Sequence, residues 1–321
     1  MDSRWGNTAV IYQGIKRESM NGTKKGSITA IILTGNEELH IARCIKNVQQ
    51  VCQEVYVVDS FSQDNTCAIA KECGAIVLQH EYANQAQQFQ WALDNCPIDT
   101  EWILRLDADE YLTDGLIQEI DAKLANLPAG INGVNMKRHV RFLGKTLRFG
   151  SLKPVCLLRL WRTGTAYMEQ RWMDEQMVLK EGDSAVFDNW FVDDNLNGLT
   201  AWTQKHNSYS NREIVVELDK KYHLFSARET PKLTGRNNRR GFYYKLPRFF
   251  RALAYFTLRY IIFLGFLDGL PGLVWLTLQS YWYRFLVDSK MYEMEKQLGK
   301  NPSREAVIEY VRRFYNIDIP A

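Results

Sequence analysis

Asp107 and Asp109 stand two apart at the end of an apolar run, Trp102 to Leu106, with the small Ala108 between them. On extended backbone alternate side chains share a side, so both carboxylates can face one point with Ala108 turned away. Two hard anionic oxygens converging there suit a divalent cation, Mg²⁺ or Mn²⁺, of the kind that keeps waters and completes its shell from a phosphate. A D-x-D triplet alone recurs by chance; its place after a buried strand gives it weight. Two other apolar runs end in the same way. Thr34-Gly35-Asn36-Glu37-Glu38 follows Ser27 to Leu33, and Asp59-Ser60-Phe61-Ser62-Gln63-Asp64 follows Glu54 to Val58. If a metal-bound diphosphate sits at the acidic pair, Asp59 can accept hydrogen bonds from a base N–H or ribose hydroxyls, and Thr34, Asn36 and Glu37 can line the same pocket. The cation would then act as a Lewis acid on a leaving diphosphate. No G-x-x-x-x-G-K-[ST] loop is present and no G-x-G-x-x-G follows the first run, which argues against a P-loop NTPase and a dinucleotide-binding protein.

These residues need a scaffold that brings strand ends together. Ser27 to Leu33, Glu54 to Val58, Ala75 to Leu78 and Trp102 to Leu106 read as buried strands. Between them lie helical patterns: one capped by Asn36 with Leu39, Ala42, Ile45 and Val48 on a face, then Asp64 to Cys73, then Asn84 to Asp94. Strands alternating with helices of this length predict an α/β fold, a mainly parallel sheet flanked by helices, with ligands at the carboxyl ends of the strands. Gly133 to Phe142 and Leu157 to Trp161 are further expected strands, and Ser303 to Phe314 an expected helix.

The 321 residues, 46% hydrophobic and 24% charged, exclude a disordered chain and a small disulfide scaffold. A formal charge of +3 is too small to argue for nucleic acid. Six cysteines without a C-x-x-C pair read as reduced thiols of a cytosolic compartment. Residues 1–26 read as a flexible polar lead-in without the apolar core of a signal peptide. The region 229–321 is different in texture. Between Pro231 and Leu267 it carries eight basic residues and no acidic one, interleaved with aromatics and followed by Ile261 to Leu267 and Leu270 to Leu278. That layout predicts helices lying in a membrane interface, with cations against anionic lipid and a re-entrant hairpin as the variant arrangement.

The runs AIILTGNEELHIARCI, VVDSFSQDNTCAIA, QAQQFQWAL and LRLDADE together resemble a family 2 glycosyltransferase with a GT-A fold, over about Ser27 to Asn207. The branch most similar contains lipopolysaccharide-core and exopolysaccharide glucosyltransferases. The resemblance implies a GT-A domain over 27–228, a nucleotide-sugar donor (a UDP-hexose), a divalent metal and inversion at the anomeric carbon. It implies donor-binding roles for Thr34, Asn36, Glu37, Asp59, Gln87 and Asp107, and metal-binding roles for Asp107 and Asp109. Inversion needs a base for the acceptor hydroxyl. The acidic motif Trp172-Met173-Asp174-Glu175-Gln176, after Arg159-Leu160-Trp161-Arg162, offers Glu175 first and Asp174 second. Lys205, His206 and Arg212 could neutralise a phosphate. The expected acceptor is a lipid-linked or lipopolysaccharide-core glycan at the cytoplasmic face of the bacterial inner membrane, where the protein is expected to be peripheral. A sugar-phosphate nucleotidyltransferase and a non-catalytic membrane-associated assembly subunit are the alternatives, and an oligomer stays open.

Overall fold

Ile28–Thr34 is apolar toward both faces, which a strand can satisfy only if the sheet is covered on both sides. It forms β1, inside the parallel half of the sheet. The computed structural model describes residues 27–151, 154–169, 176–225, 243 and 245–319. On either side of β1 run β2 (Glu54–Asp59) and β4 (Trp102–Asp107), both parallel to it, with β3 (Ile76–Gln79) outside β2. The register pairs Thr34 with Asp59 and Leu33 with Asp107, so the polar strand ends meet at one edge. The crossovers are α1 (Ile41–Val48), α2 (Thr66–Glu72) and α3 (Gln85–Asn95).

Beyond β4 the sheet becomes mixed. β5 (Glu110–Leu112) and α4 (Asp114–Lys123) lead into β6 (Ile131–Phe142), β7 (Lys145–Leu147) and β8 (Val155–Arg162). β8 is antiparallel to both β4 and β6; β11 (Asp183–Asp193) is parallel to β6, and β5 closes that side antiparallel to β11. A separate two-stranded ribbon joins β9 (Ala166–Met168) to β10 (Met177–Leu179). The α/β class with flanking helices is as expected, with its parallel character confined to the first half and the β6–β11 pair.

The first helix starts later than its sequence pattern suggests. Asn36 is not its cap. It holds a left-handed φ of 58°, takes a hydrogen bond from Gln63 N at 2.8 Å and donates its own N–H to Ser62 Oγ at 2.8 Å. The buried face is Ile41, Cys44, Ile45 and Val48, while Leu39 is 57% exposed. Capping residues do act elsewhere: Asn84, Thr113 and Ser303 accept from Gln87, Leu116 and Ala306 N–H groups.

After β11, α5 (Leu199–Tyr222) packs Ile214, Val215 and Leu218 against the last two of the C-terminal helices. The C-terminal helices are α6 (Phe250–Thr257), extended by a wider turn to Ile262, α7 (Gly269–Leu276), α8 (Tyr283–Leu298) and α9 (Arg304–Tyr315). Among the described residues no single helix is long and apolar enough to cross a membrane; one pair, Phe250–Ile262 with Gly265–Leu298, passes by length and composition but is bent by 71°. Three of the expected lipid-facing cations of this region instead turn to the protein. Arg248 pairs with Glu295, Arg251 with the fully buried Asp288, and Arg259 donates to Gly150 O at 2.7 Å and Ser280 Oγ at 2.8 Å. A buried guanidinium without a partner costs several kcal/mol, so Asp288 of α8 holds Arg251 inside.

β11 breaks register between Val186 and Trp190, leaving N–H groups that the ladder does not use. Glu119 of α4 takes them: Oε1 accepts from Asp188 N at 2.9 Å, and Oε2 from Asn189 N at 2.8 Å and Asn189 Nδ2 at 2.9 Å. Burial opposes the charge, but the bonds from Lys123, Asp188 and Asn189 bring its pKa down to about 2 from 4.5. Because the folded pKa is depressed, this stability is present above pH ~4.5 and lost as pH falls toward ~2. Replacement Glu119→Ala is expected to lower stability by about 2–3 kcal/mol at neutral pH in urea unfolding, and to flatten the acid limb of the stability curve in that window.

Candidate functional site

The turn after β4 is built by its own acids. Asp107 N–H donates to Glu110 Oε2 at 3.0 Å, and Glu110 Oε1 accepts from Arg159 of β8 at 2.6 Å. Glu110 is thereby committed to the protein. Burial pushes its pKa up to about 8, with Arg159 opposing and Asp107 and Asp193 adding. Asp107 and Asp109 are left at the surface of a cleft with Ala108 buried between them; β4 ends at Asp107, so a turn and not the expected extended backbone places Asp109 there. Burial opposes ionisation of Asp107, yet Arg159 at 3.5 Å and Arg105 at 3.7 Å, with Lys205, hold its pKa below the ordinary value. Asp109 Oδ2 accepts from Asn195 Nδ2 at 2.9 Å.

Arg43 of α1 staples this turn to the segment after β11, and His40, the residue before the helix, ties that segment to the loop after β1. Arg43 donates to Asp194 Oδ2 at 2.6 Å, Asp194 O at 2.7 Å and Asp109 O at 3.2 Å. His40, fully buried, shares a 2.6 Å bond with Glu37 Oε2 through Nδ1 and accepts Leu196 N–H at 2.8 Å through Nε2. The accepting Nε2 places the ring proton on Nδ1, so the imidazole is a neutral strut. The spacing i, i+3 is what lets one helix turn reach both loops.

The cleft they frame measures ≈1440 Å³. Thr34, Asn36, Glu37, Asp107 and Asp109 line it, as expected, and Lys205, His206 and Arg212 of α5 form part of its wall. Desolvation works against the charge on Lys205, but Tyr209 and the carboxylates of Asp109, Glu37 and Asp107 outweigh it and raise its pKa. His206 stacks on Trp202 at 3.5 Å and bonds Trp202 O at 2.9 Å, an ordinary structural arrangement.

Two expected donor-binding residues are placed differently. Asp59 is fully buried and holds hydrogen bonds from Thr34 Oγ1 (2.9 Å), Ser62 N (2.8 Å), Ser62 Oγ (2.5 Å) and Gln79 Nε2 (3.2 Å). Its oxygens are spent on fixing the β1 and β2 loops, so it stands behind the cleft wall. Gln87 is exposed, and the helix turns its neighbour inward instead. Gln88, 1% exposed, lines the cleft with Gln85 and bonds Ser60 Oγ at 3.2 Å and His80 O at 3.1 Å. Successive helical residues lie about 100° apart, which the sequence match does not register. Asp174 and Glu175 lie outside the described residues.

The structure adds Asp193, which ends β11 in register with Glu110 and lines the same cleft. Burial and Asp109 push its pKa up to about 6, against Arg138 at 3.5 Å. The run Phe191-Val192-Asp193-Asp194 repeats the apolar-then-acidic pattern of the β4 end, and that is the signal that marks it in sequence.

Among the described residues no three His, Cys, Asp or Glu side chains form a group able to hold a metal. Asp107 and Asp109 therefore offer two hard oxygen ligands and leave the other positions to phosphate and water. That donor set fits Mg²⁺ or Mn²⁺ bound with a diphosphate, and Arg105 and Arg159 keep Asp107 ionised for it.

A family model described as "Glycosyl transferase family 2" matches residues 29–189, half of the chain. This chain belongs to glycosyl transferase family 2. An uncharacterised glycosyltransferase of Rickettsia conorii is 40% identical over 102 residues, 32% of this chain and 36% of that protein. The lipopolysaccharide core biosynthesis glycosyltransferase LpsC of Rhizobium meliloti is 27% identical over 161 residues, 49% of this chain and 58% of LpsC. The chain thus spans from about a third to just over half the length of these relatives. Glucosyl-3-phosphoglycerate synthase of Mycobacterium tuberculosis, in complex with Mn²⁺ and UDP-glucose, is similar at 20% identity and a TM-score of 0.30, over 36% of this chain and 44% of that one.

For this family 2 chain the geometry separates two variants. Gln87→Ala, at an exposed position, should leave stability unchanged in urea unfolding, whereas Arg43→Met, which removes a charge-assisted staple, should lower it by about 1.5–3 kcal/mol.

Proposed function

We propose that the chain is an inverting glycosyltransferase that moves a hexose from a UDP-sugar to a lipid-linked or lipopolysaccharide-core glycan at the cytoplasmic face of the bacterial inner membrane. The observation that carries this reading is the cleft edge itself. Asp107 and Asp109 line it as one paired acidic turn, with the cations Lys205 and Arg212 on the wall formed by α5. A diphosphate between a carboxylate-held cation and these side chains would have both of its faces neutralised.

Asp107 and Asp109 would hold the divalent metal. When bound, the metal would stabilise the negative charge that grows on the leaving diphosphate. Thr34, Asn36 and Glu37 line the end of the cleft nearest β1 and would orient the nucleoside. Asp59 would serve by fixing Thr34 and Ser62. Glu110, tied to Arg159, would hold the shape of the turn and not bind the ion. The acceptor hydroxyl must lose its proton as its oxygen attacks from the face opposite the leaving group. We assign that proton to Glu175, with Asp174 beside it. Asp193 is the rival carboxylate among the described residues, because it faces the same cleft from a different strand.

Two measurements test the reading. Asp109→Asn should abolish stabilisation of the protein by Mn²⁺ with UDP and lower transfer by about 10³-fold or more, UDP being released in the wild type and not pyrophosphate. Pyrophosphate release would make the chain a nucleotidyltransferase. Glu175→Gln should lower transfer by about 10²–10⁴-fold while UDP binding stays intact; if Asp193→Asn has that profile and Glu175→Gln does not, the base is Asp193.

A further inference from the structure

The turn between α6 and α7 carries an apolar surface that the transfer reaction does not use. Ile261, Ile262, Leu264, Phe266, Leu267 and Leu270 are each 45–76% exposed. Single exposed apolar side chains are ordinary, but six within ten residues form a patch that water disfavours. The turn is also built to keep this shape. Leu264 holds a left-handed φ of 57°, and a Cβ on Gly265 would come within 2.9 Å of Arg259 O.

The β6–β7 hairpin lies against this turn. Asp268 accepts N–H groups from Arg148 at 3.0 Å and Phe149 at 2.9 Å, and Gly150 N donates to Phe263 O at 2.8 Å. Hairpin and turn enclose a cavity of ≈430 Å³ whose wall includes Arg141, Lys145, Arg148 and Leu267. Asp268 is the single acid in that wall, and its oxygens face the backbone N–H groups of Arg148 and Phe149. No described carboxylate forms an ion pair with the side chains of Arg141, Lys145 or Arg148. Arg141 and Gly144 belong both to this cavity and to the larger cleft, so the two join.

We propose that this face docks on an anionic phospholipid bilayer, with the 261–270 turn at the boundary of headgroups and acyl chains and Arg141, Lys145 and Arg148 on lipid phosphates. Charge complementarity selects this occupant. An apolar tip rimmed by cations that no described carboxylate pairs matches a surface that is oily inside and negatively charged at its edge. The docking deepens the reading of the cleft as acting on a lipid-linked acceptor, since the shared wall at Arg141 would let a glycan anchored in that bilayer enter the cleft.

The test is co-sedimentation of the full chain with vesicles of phosphatidylcholine alone or with phosphatidylglycerol added. The wild type should bind the anionic vesicles and release in high salt. The double variant Lys145→Gln/Arg148→Gln should lose about 10–30-fold in partitioning to anionic vesicles. Ile262→Ser/Leu270→Ser should weaken binding as well, and both variants should keep the wild-type unfolding temperature and its response to Mn²⁺ with UDP. Equal binding to neutral vesicles, no loss in the charge variant, displacement by free glycerol phosphate, or a dimer dispersed by Ile262→Ser/Leu270→Ser would each overturn the proposal. Failure of the transferase reading would show separately, as an absent response to Mn²⁺ with UDP while vesicle binding persists.

Discussion

Four carboxylates, Asp107, Asp109, Glu110 and Asp193, crowd one corner of the sheet, and the fold depends on how their repulsion is offset. Burial is the first cause of the upward shifts of Glu110 and Asp193, and the neighbouring carboxylates add to it. The remedy is a set of arginines delivered from different elements: Arg43 from α1, Arg105 from β4, Arg138 from β6 and Arg159 from β8. Arg105 and Arg159 also lie 4.9 Å and 5.0 Å over the rings of Phe89 and Phe191, so the hydrophobic core itself holds the guanidinium groups in place. Such an arrangement is costly to assemble and rigid once assembled. It keeps Asp107 charged and the acidic turn fixed before any ligand arrives.

The same economy recurs away from the cleft. Glu119 takes the N–H groups that the irregularity of β11 leaves over, and Asp288 takes Arg251 and the N–H of Phe249. In each case a buried carboxylate replaces a missing ladder or helix bond, which satisfies the rule that buried polar groups find partners. Of the C-terminal cations, Arg251 is buried against Asp288 and Arg259 turns to Gly150 and Ser280, whereas Arg248, paired with Glu295, stays exposed. In the docking we propose, the charge facing lipid comes from Arg141, Lys145 and Arg148, which are distant in sequence from the apolar turn they accompany.

Much of this was legible from the chain alone. Apolar runs ending in polar residues located β1, β2 and β4 to within a residue, because strands buried on both faces leave little freedom in composition. The Asp107–Asp109 pair stood out as an acidic run after an apolar strand, although the backbone past Asp107 is a turn to which the two-residue period does not reach. Legibility failed where a residue's role depends on direction or saturation. Gln87 and Gln88 are chemically identical neighbours, and only the rotation of α3 sends one to solvent and the other to the cleft. Asp59 reads as a free acceptor until its register with β1 brings Thr34, its register with β3 brings Gln79, and the loop after β2 folds Ser62 back onto it.

The sequence by itself determined the α/β class, the metal-suited acidic pair and the family, since these rest on local periodicity and on residues close together in the chain. Tertiary structure decided which polar groups remain available. The staple from Arg43 to Asp194 spans 151 positions and the bond from Thr34 to Asp59 spans 25. Contacts of that separation depend on how elements pack, and packing, unlike strand periodicity, leaves no regular mark on a single sequence.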